Sequence, residues 1–330
     1  MGKKDDTMYD YLENRDKFAD LVNMVMYQGE QVIQASMLEP EDTRYVRKGR
    51  KKNGKLATKN HYRDLKKRLS DGGRIGIIAI ENQDAVDYSM PLRIMEYDCM
   101  EYRKQVRQIQ RDKTNELKKE NRVPSDWETK LTEADKINPV QTICLYHGEE
   151  MWAGPKSLKD MINWQDAPIK WEEQFHDYGM TLVCANEIKD FSVFRTELGQ
   201  LLQAIACAGD KAKLQALFQK EEYSHLERET AEAIAIMTDV DIVLNKLDKC
   251  EENGGYDMCK GMEDWAKEEQ EKGAARGKIE GRIEGKIEGK IESKLESIQN
   301  LMQNMKITAE EAMNLLGVPV EERAEYLAKL

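Results

Sequence analysis

Asp71-Gly72-Gly73-Arg74 lies between two extended runs and limits the fold more than any other segment of this chain. Two adjacent glycines accept the positive φ values that a two-residue hairpin turn requires. The upstream arm, residues 61–70, reads as a strand. The downstream arm, Ile75-Gly76-Ile77-Ile78-Ala79-Ile80, is apolar on both faces, the pattern of a central strand covered on both sides. If the loop is Gly72-Gly73, Asp71 pairs with Arg74. Counting back along the ladder then sets Asp64 opposite Glu81, with Cβ atoms about 4.5–5.5 Å apart. Gln83, two residues on, shares the face of Glu81. A three-residue loop would put the two acids on opposite faces. Asp64 would then pair with Arg63, Lys66 or Lys67, and Glu81 would end its strand in a salt bridge.

Two carboxylates meeting at the end of a buried strand repel each other, and burial raises the penalty. A divalent cation removes it. Mg2+ takes oxygen ligands, often one or two carboxylates, with waters and a substrate phosphate completing the shell. It can also acidify an attacking water and neutralise charge on the phosphate. The hairpin register therefore points to phosphodiester hydrolysis.

The charge distribution fits a phosphate-bearing partner better than the net charge of −11 does. Residues 44–74 hold thirteen Lys and Arg against two acids, Asp64 and Asp71. Such a local field suits a nucleic-acid backbone, and it equally describes a solvated basic loop. Arg47, Lys48, Arg50, Lys51, Lys52, Arg63 and Lys66 are the candidate DNA contacts there. Arg93 is a further one, with bridges to Glu96 or Asp87 as the alternative. Residues 48–60, basic and without periodicity, read as an exposed loop.

Residues 16–37 read as an amphipathic helix, with Asp20, Asn23 and Tyr27 on one stripe. Ser89 and Pro91 suit the start of a second helix, whose apolar stripe is Leu92, Met95, Cys99, Tyr102, Val106 and Ile109. Segments 140–146 and 180–185 read as strands. From Phe194 onward the pattern is helical and acidic. The expected divisions are residues 1–190, a helical subdomain at 191–272, a repeat helix or linker at 273–305 and a helical pair at 306–330.

The repeat begins at Gly277-Lys-Ile-Glu and recurs at Gly281, Gly285 and Gly289 before Ser293-Lys-Leu-Glu. A period of four sets like charges at i,i+4, and each Gly costs about 1 kcal/mol relative to Ala. Self-association through a Gly/Ile stripe would support such a helix, giving a homo-oligomer through residues 277–305; a low-complexity linker is the alternative. Thr308 and Glu311 match a capping box, and Gly317 with Pro319 ends that helix.

No apolar run approaches the ~20 residues of a membrane span. The N-terminus lacks an apolar leader, and the six cysteines are scattered without a C-x-x-C pair. These features imply reduced thiols, no zinc site and a cytoplasmic setting.

Three segments together resemble a known family: Tyr62-Arg63-Asp64, Gly76-Ile77-Ile78-Ala79-Ile80-Glu81-Asn82-Gln83, and the run from Asp87 to Asp98. They resemble the Rpn family of recombination-promoting nucleases, also labelled YhgA-like transposases, a branch of the PD-(D/E)XK superfamily. The opening Phe18-Ala19-Asp20-Leu21-Val22-Asn23 and the Gly-Lys-Ile-Glu tail are similar to that family too. The resemblance implies an α/β fold with a PD-(D/E)XK restriction-endonuclease-like core of order α-β-β-β-α-β, followed by a helical C-terminal region. It implies a DNA endonuclease dependent on Mg2+, with Mn2+ as a substitute. Asp64, Glu81 and the Asn82 carbonyl would hold the metal, Gln83 would assist, and Asp20 would supply an acid from the first helix. Gln83 stands where the superfamily usually has Lys: a neutral amide can orient water but brings no positive charge. A decayed nuclease fold acting as a DNA-binding or oligomeric protein is the competing expectation.

Overall fold

The computed structural model describes residues 2–50, 56–240, 251–252 and 255–330. The chain divides into two compact units, Met1–Met262 and Glu263–Leu330.

The first unit opens with helices α1 (Lys3–Glu13) and α2 (Arg15–Tyr27). Asn14 separates them and caps α2, its side chain accepting from the amides of Asp16 and Lys17. Gln28 and Gly29, both at positive φ, end α2 well before residue 37. Asn23 then holds the departing chain, its Oδ1 accepting from Ile33 N and its Nδ2 donating to Ile33 O, each at 2.8 Å.

Strands β1 (Leu38–Pro40), β2 (Arg44–Arg50), β3 (Leu56–Tyr62), β4 (Leu65–Asp71) and β5 (Arg74–Gln83) follow. The segment expected as an exposed basic loop is therefore largely a ribbon. β2 pairs antiparallel with β3, from Arg44 opposite Tyr62 to Arg50 opposite Leu56. A backbone ladder does not need an apolar period, so the absence of one over residues 44–62 did not reveal this ribbon.

Helix α3 (Met90–Lys119) crosses over to β6 (Val140–Tyr146), and a short α4 (Trp171–Gln174) precedes β7 (Thr181–Cys184). The main sheet is mixed, in the order β1-β4-β5-β6-β7. β1, β4 and β5 are antiparallel neighbours, whereas β5, β6 and β7 run parallel. The fold of this unit is thus α/β. One face of the sheet meets α1 and α2: Lys67 Nζ lies 5.1 Å from the Phe18 ring centroid and donates to the Glu13 carbonyl. The other face meets α3, where Met90, Ile94, Cys144, Tyr146, Trp152 and Cys184 form one apolar cluster.

Helix α3 presents a different face from the one its apolar stripe suggests. Met90, Pro91, Ile94, Asp98 and Glu101 are buried, while Leu92 and Met95 remain 48% and 37% exposed. The cause is charge pairing. Arg63 and Lys66 point from the sheet toward α3, and buried cations need partners. Asp98 accepts from Arg63, Thr142 and Tyr178. Glu101 accepts from Lys66 at 2.8 Å and from the Tyr45 hydroxyl at 2.7 Å.

Helices α5 (Leu198–Cys207), α6 (Lys211–Phe218) and α7 (Arg228–Met237) lie in the same compact unit as the sheet. α5 packs on α2 and α7, and α7 packs on α1. The buried Tyr11 hydroxyl lies 2.8 Å from Thr230 Oγ1. Short strands β8 (Glu251–Glu252) and β9 (Gly255–Tyr256) pair beyond them.

Helix α8 (Met258–Met305) carries the four-residue repeat within one continuous helix. Its repeat glycines face open space, and Ile279 and Ile283 are exposed. Its last turns join α9 (Ala309–Leu315) and α10 (Val320–Leu327) around Ile298, Met313, Val318 and Tyr326. The expected boundary between residues 305 and 306 therefore falls inside one packed unit. The capping box of Thr308 and Glu311 forms, and Gly317 adopts φ 64°. No described helix is long and apolar enough to cross a membrane.

Candidate active site

The hairpin register is the one that two-residue turn chemistry dictates. Gly72 and Gly73 have φ values of 53° and 89°, Asp71 pairs with Arg74, and the ladder runs to Leu65 opposite Ile80. One step further, Asp64 reaches the level of Glu81 at the point where β4 has ended and β5 continues.

This ending leaves a backbone donor to satisfy. Parallel ladders alternate the side to which successive amides point. Ile77 N donates to Pro139 O, and Gln83 O accepts from His147 N, so the odd residues of β5 address β6. The Asn82 amide faces the β4 side, beyond the last β4 pair. Asp64 Oδ2 accepts it at 2.8 Å, standing in for the missing strand.

Glu81 is 1% exposed, and its Oε1 has no hydrogen-bond partner among the described residues. Arg93 Nη2 is 3.7 Å from its Oε2, too long for a direct hydrogen bond. Arg93 Nη1 is closer to Asp87, at 3.1 Å. Burial first, and then the charge of Asp64, push the Glu81 carboxyl up to about 8, against the pull of Arg63 and Arg93. The Asp64 carboxyl is also raised, chiefly by burial, while the Asn82 amide and Arg93 act in the opposite direction. Glu81 is thus an acid held largely protonated near neutrality, beside a second carboxylate.

The neighbouring groups are polar as well. The Gln83 amide donates to the Asn82 carbonyl. Asp5, from α1, is close enough to Asp64 to raise its proton affinity. His147, which follows β6, is 3% exposed, and its Nε2 lies 3.3 Å from Asp5 Oδ1. A cavity of about 530 Å³ opens beside it at the carboxyl ends of β5 and β6, lined by Lys4, Asp84, Tyr146, Glu149 and others. Gly148 is required there: a Cβ would come within 2.5 Å of Asp84 O. Neither Asp5 nor His147 was legible from the sequence, because no local pattern links residue 5 to the end of β6.

The other sequence candidates divide. Asp20 is 2% exposed and accepts from the amides of Arg195 and Thr196 and from the Thr196 hydroxyl. That ties α2 to the segment before α5, and no hydrogen bond or ion pair joins Asp20 to Asp64 or Glu81 among the described residues. Arg63 and Lys66, expected at phosphate, have fully buried side chains bound to Asp98 and Glu101, and this corrects the expectation. Arg93 is part-exposed beside Glu81. Arg47, Lys48 and Arg50 lie on β2, and Lys51 and Lys52 lie outside the described residues. Ser89 does not cap α3 with its side chain; Asp87 instead accepts from its amide and hydroxyl.

Among the described residues no three His, Cys, Asp or Glu side chains are grouped to hold a metal ion. The donor set at the site is two carboxylates and the Asn82 carbonyl. An all-protein cage is therefore absent there. A hard cation that keeps several waters fits the pair, and the unpartnered Glu81 oxygen is the observation in favour of that fit.

Comparison of the chain with protein-family models, with curated proteins and with solved structures finds no match in any of them.

Proposed function

We propose that this chain is a metal-dependent DNA endonuclease of the recombination-promoting type, built on a PD-(D/E)XK-like core. One observation carries the reading: Asp64 and Glu81 meet where β4 begins, with a buried Glu81 oxygen left without a partner among the described residues. The element order from α2 through β1, β4, β5, α3 and β6 supports it, being an α-β-β-β-α-β sequence with the β2–β3 ribbon inserted.

In this reading Asp64 and Glu81 hold Mg2+ or Mn2+, and Asn82 offers its carbonyl. A bound cation supplies an acidified water and charge neutralisation at phosphorus. To serve as a ligand Glu81 would have to release its carboxyl proton to solvent. Gln83 orients the attacking water, turning its amide from the Asn82 carbonyl to do so. Arg93 places positive charge beside the scissile phosphate, in part replacing the charge that Gln83 lacks. Self-association through α8 belongs to the same proposal, and the exposed Ile279 and Ile283 support it.

One observation favours a decayed, DNA-binding fold instead. Asp64 already serves a structural role on the Asn82 amide, and Gln83 is folded onto the backbone. Cleavage of supercoiled plasmid with Mg2+ and with EDTA, using the intact protein and Glu81→Ala, separates the two. Nicking that needs metal and disappears in the variant supports the nuclease. No cleavage with either Mg2+ or Mn2+, alongside DNA binding that is indifferent to EDTA, would support the decayed fold.

A further inference from the structure

The outer side of α3 carries the apolar stripe that is not buried, and it forms one wall of a groove of about 1060 Å³. Arg44, Arg103, Lys104, Arg107 and Arg111 line this groove, against Glu96 as the lone acid in its lining among the described residues. Arg103, Arg107 and Arg111 are exposed. They stand at four-residue intervals on one helix, about 6 Å apart along its axis and turned by about 40° at each step. They therefore form a shallow line of cations. Among the described residues no carboxylate or hydrogen-bond acceptor engages them, whereas Lys104 has Glu41 at 3.2 Å. The buried cations of this region, Arg63 and Lys66, are neutralised by α3 itself. Among the described residues the arginine line has no such internal counter-charge.

The other end of the groove presents apolar side chains beside Glu96. Leu92 and Met95 line it within the first turns of α3, the turns that also place Arg93 beside Glu81. The groove thus runs along α3 from the arginine line to Leu92, the residue next to Arg93 in sequence.

We propose that this groove is the track for a nucleic-acid strand, with phosphates on Arg103, Arg107 and Arg111 and an unstacked base against Leu92 and Met95. Rigid guanidinium forks spaced along a helix suit successive phosphates, and an apolar end suits a base. The direction of the strand, toward Asp64 and Glu81, rests on the nuclease reading; the cationic track does not.

The test measures binding of a fluorescein-labelled oligonucleotide, single-stranded and duplex, to the full chain in EDTA across a salt series. The proteins compared are the intact chain, Arg103→Gln/Arg107→Gln/Arg111→Gln and the matching triple Lys variant. Three lost phosphate contacts should weaken binding at least tenfold at low salt. They should also lower the slope of log K against log salt by about 2–3. The Lys variant should keep most of the slope. Unchanged affinity and slope in the Gln variant would overturn the track, as would an intact protein that binds no polynucleotide. Equally tight binding of polyglutamate of matched charge would overturn its assignment to nucleic acid. Arginine-dependent binding by a protein that cuts nothing with either Mg2+ or Mn2+ would leave the track standing and sink the nuclease reading alone.

Discussion

Asp64 accepts the Asn82 amide at 2.8 Å, so the side chain just before β4 also completes the hydrogen bonding of β5. A carboxylate in this position has two roles that substitution can separate. Asp64→Ala leaves the amide without an acceptor and should destabilise the chain by about 1–3 kcal/mol. Asp64→Asn keeps an acceptor oxygen and should lose much less stability while losing cleavage. Urea denaturation alongside the plasmid assay checks both. Equal destabilisation by the two substitutions would remove the structural role.

The buried Glu81 carboxyl ties stability to pH. Its folded value of about 8 lies above the ordinary 4.5, so the native state binds the extra proton. The favourable contribution is complete below about pH 4.5 and is lost as pH rises through 8. Glu81→Gln should therefore gain stability over the intact protein progressively between those limits, by a few kcal/mol in total. Denaturation series at several pH values, free of divalent metal, read the difference. A difference that does not change with pH would contradict the raised proton affinity.

Lys66 and Glu101 form a pair whose side chains are 0% and 3% exposed. Lys66→Met strands Glu101 and should cost about 3–5 kcal/mol. Adding Glu101→Leu to it should restore part of that loss, since two apolar groups need no partner while the buried Tyr45 hydroxyl loses its acceptor. Chemical denaturation of the single and double variants closes the cycle.

The turn sets the register of the whole site. Gly73 at φ 89° and Gly72 at φ 53° lie in the left-handed region. Gly73→Ala should destabilise by about 1–2 kcal/mol, whereas Gly72→Asn should be nearly neutral, because Asn tolerates that conformation. Thermal unfolding of the two variants tests this order.

The parts of the fold that were legible in the sequence are those with local causes. Adjacent glycines fixed the β4–β5 turn, the two-faced apolar run fixed β5, and Thr308 with Glu311 fixed the start of α9. The face of α3 was not legible from its own periodicity, because its inward side is set by Arg63 and Lys66 in a distant strand. Half of a signal was present: Asp98 and Glu101 are three apart on one helix face, but Arg63 and Lys66, three apart on an extended run, would be expected on opposite faces. The meeting of Asp64 with Glu81 follows from counting along a hairpin. The approach of Asp5 to Asp64 and His147 depends on the docking of α1, which no spacing encodes.

Calorimetric titration of the metal-free protein with Mn2+ near pH 7 tests most directly whether Asp64 and Glu81 share a cation. Because Glu81 is largely protonated there, binding should release a proton, seen as a heat that changes with the ionisation enthalpy of the buffer. Saturable binding with proton release, abolished by Glu81→Gln and by Asp64→Asn, is the predicted result. Failure to bind Mn2+, or binding and proton release that both variants retain, would contradict the account.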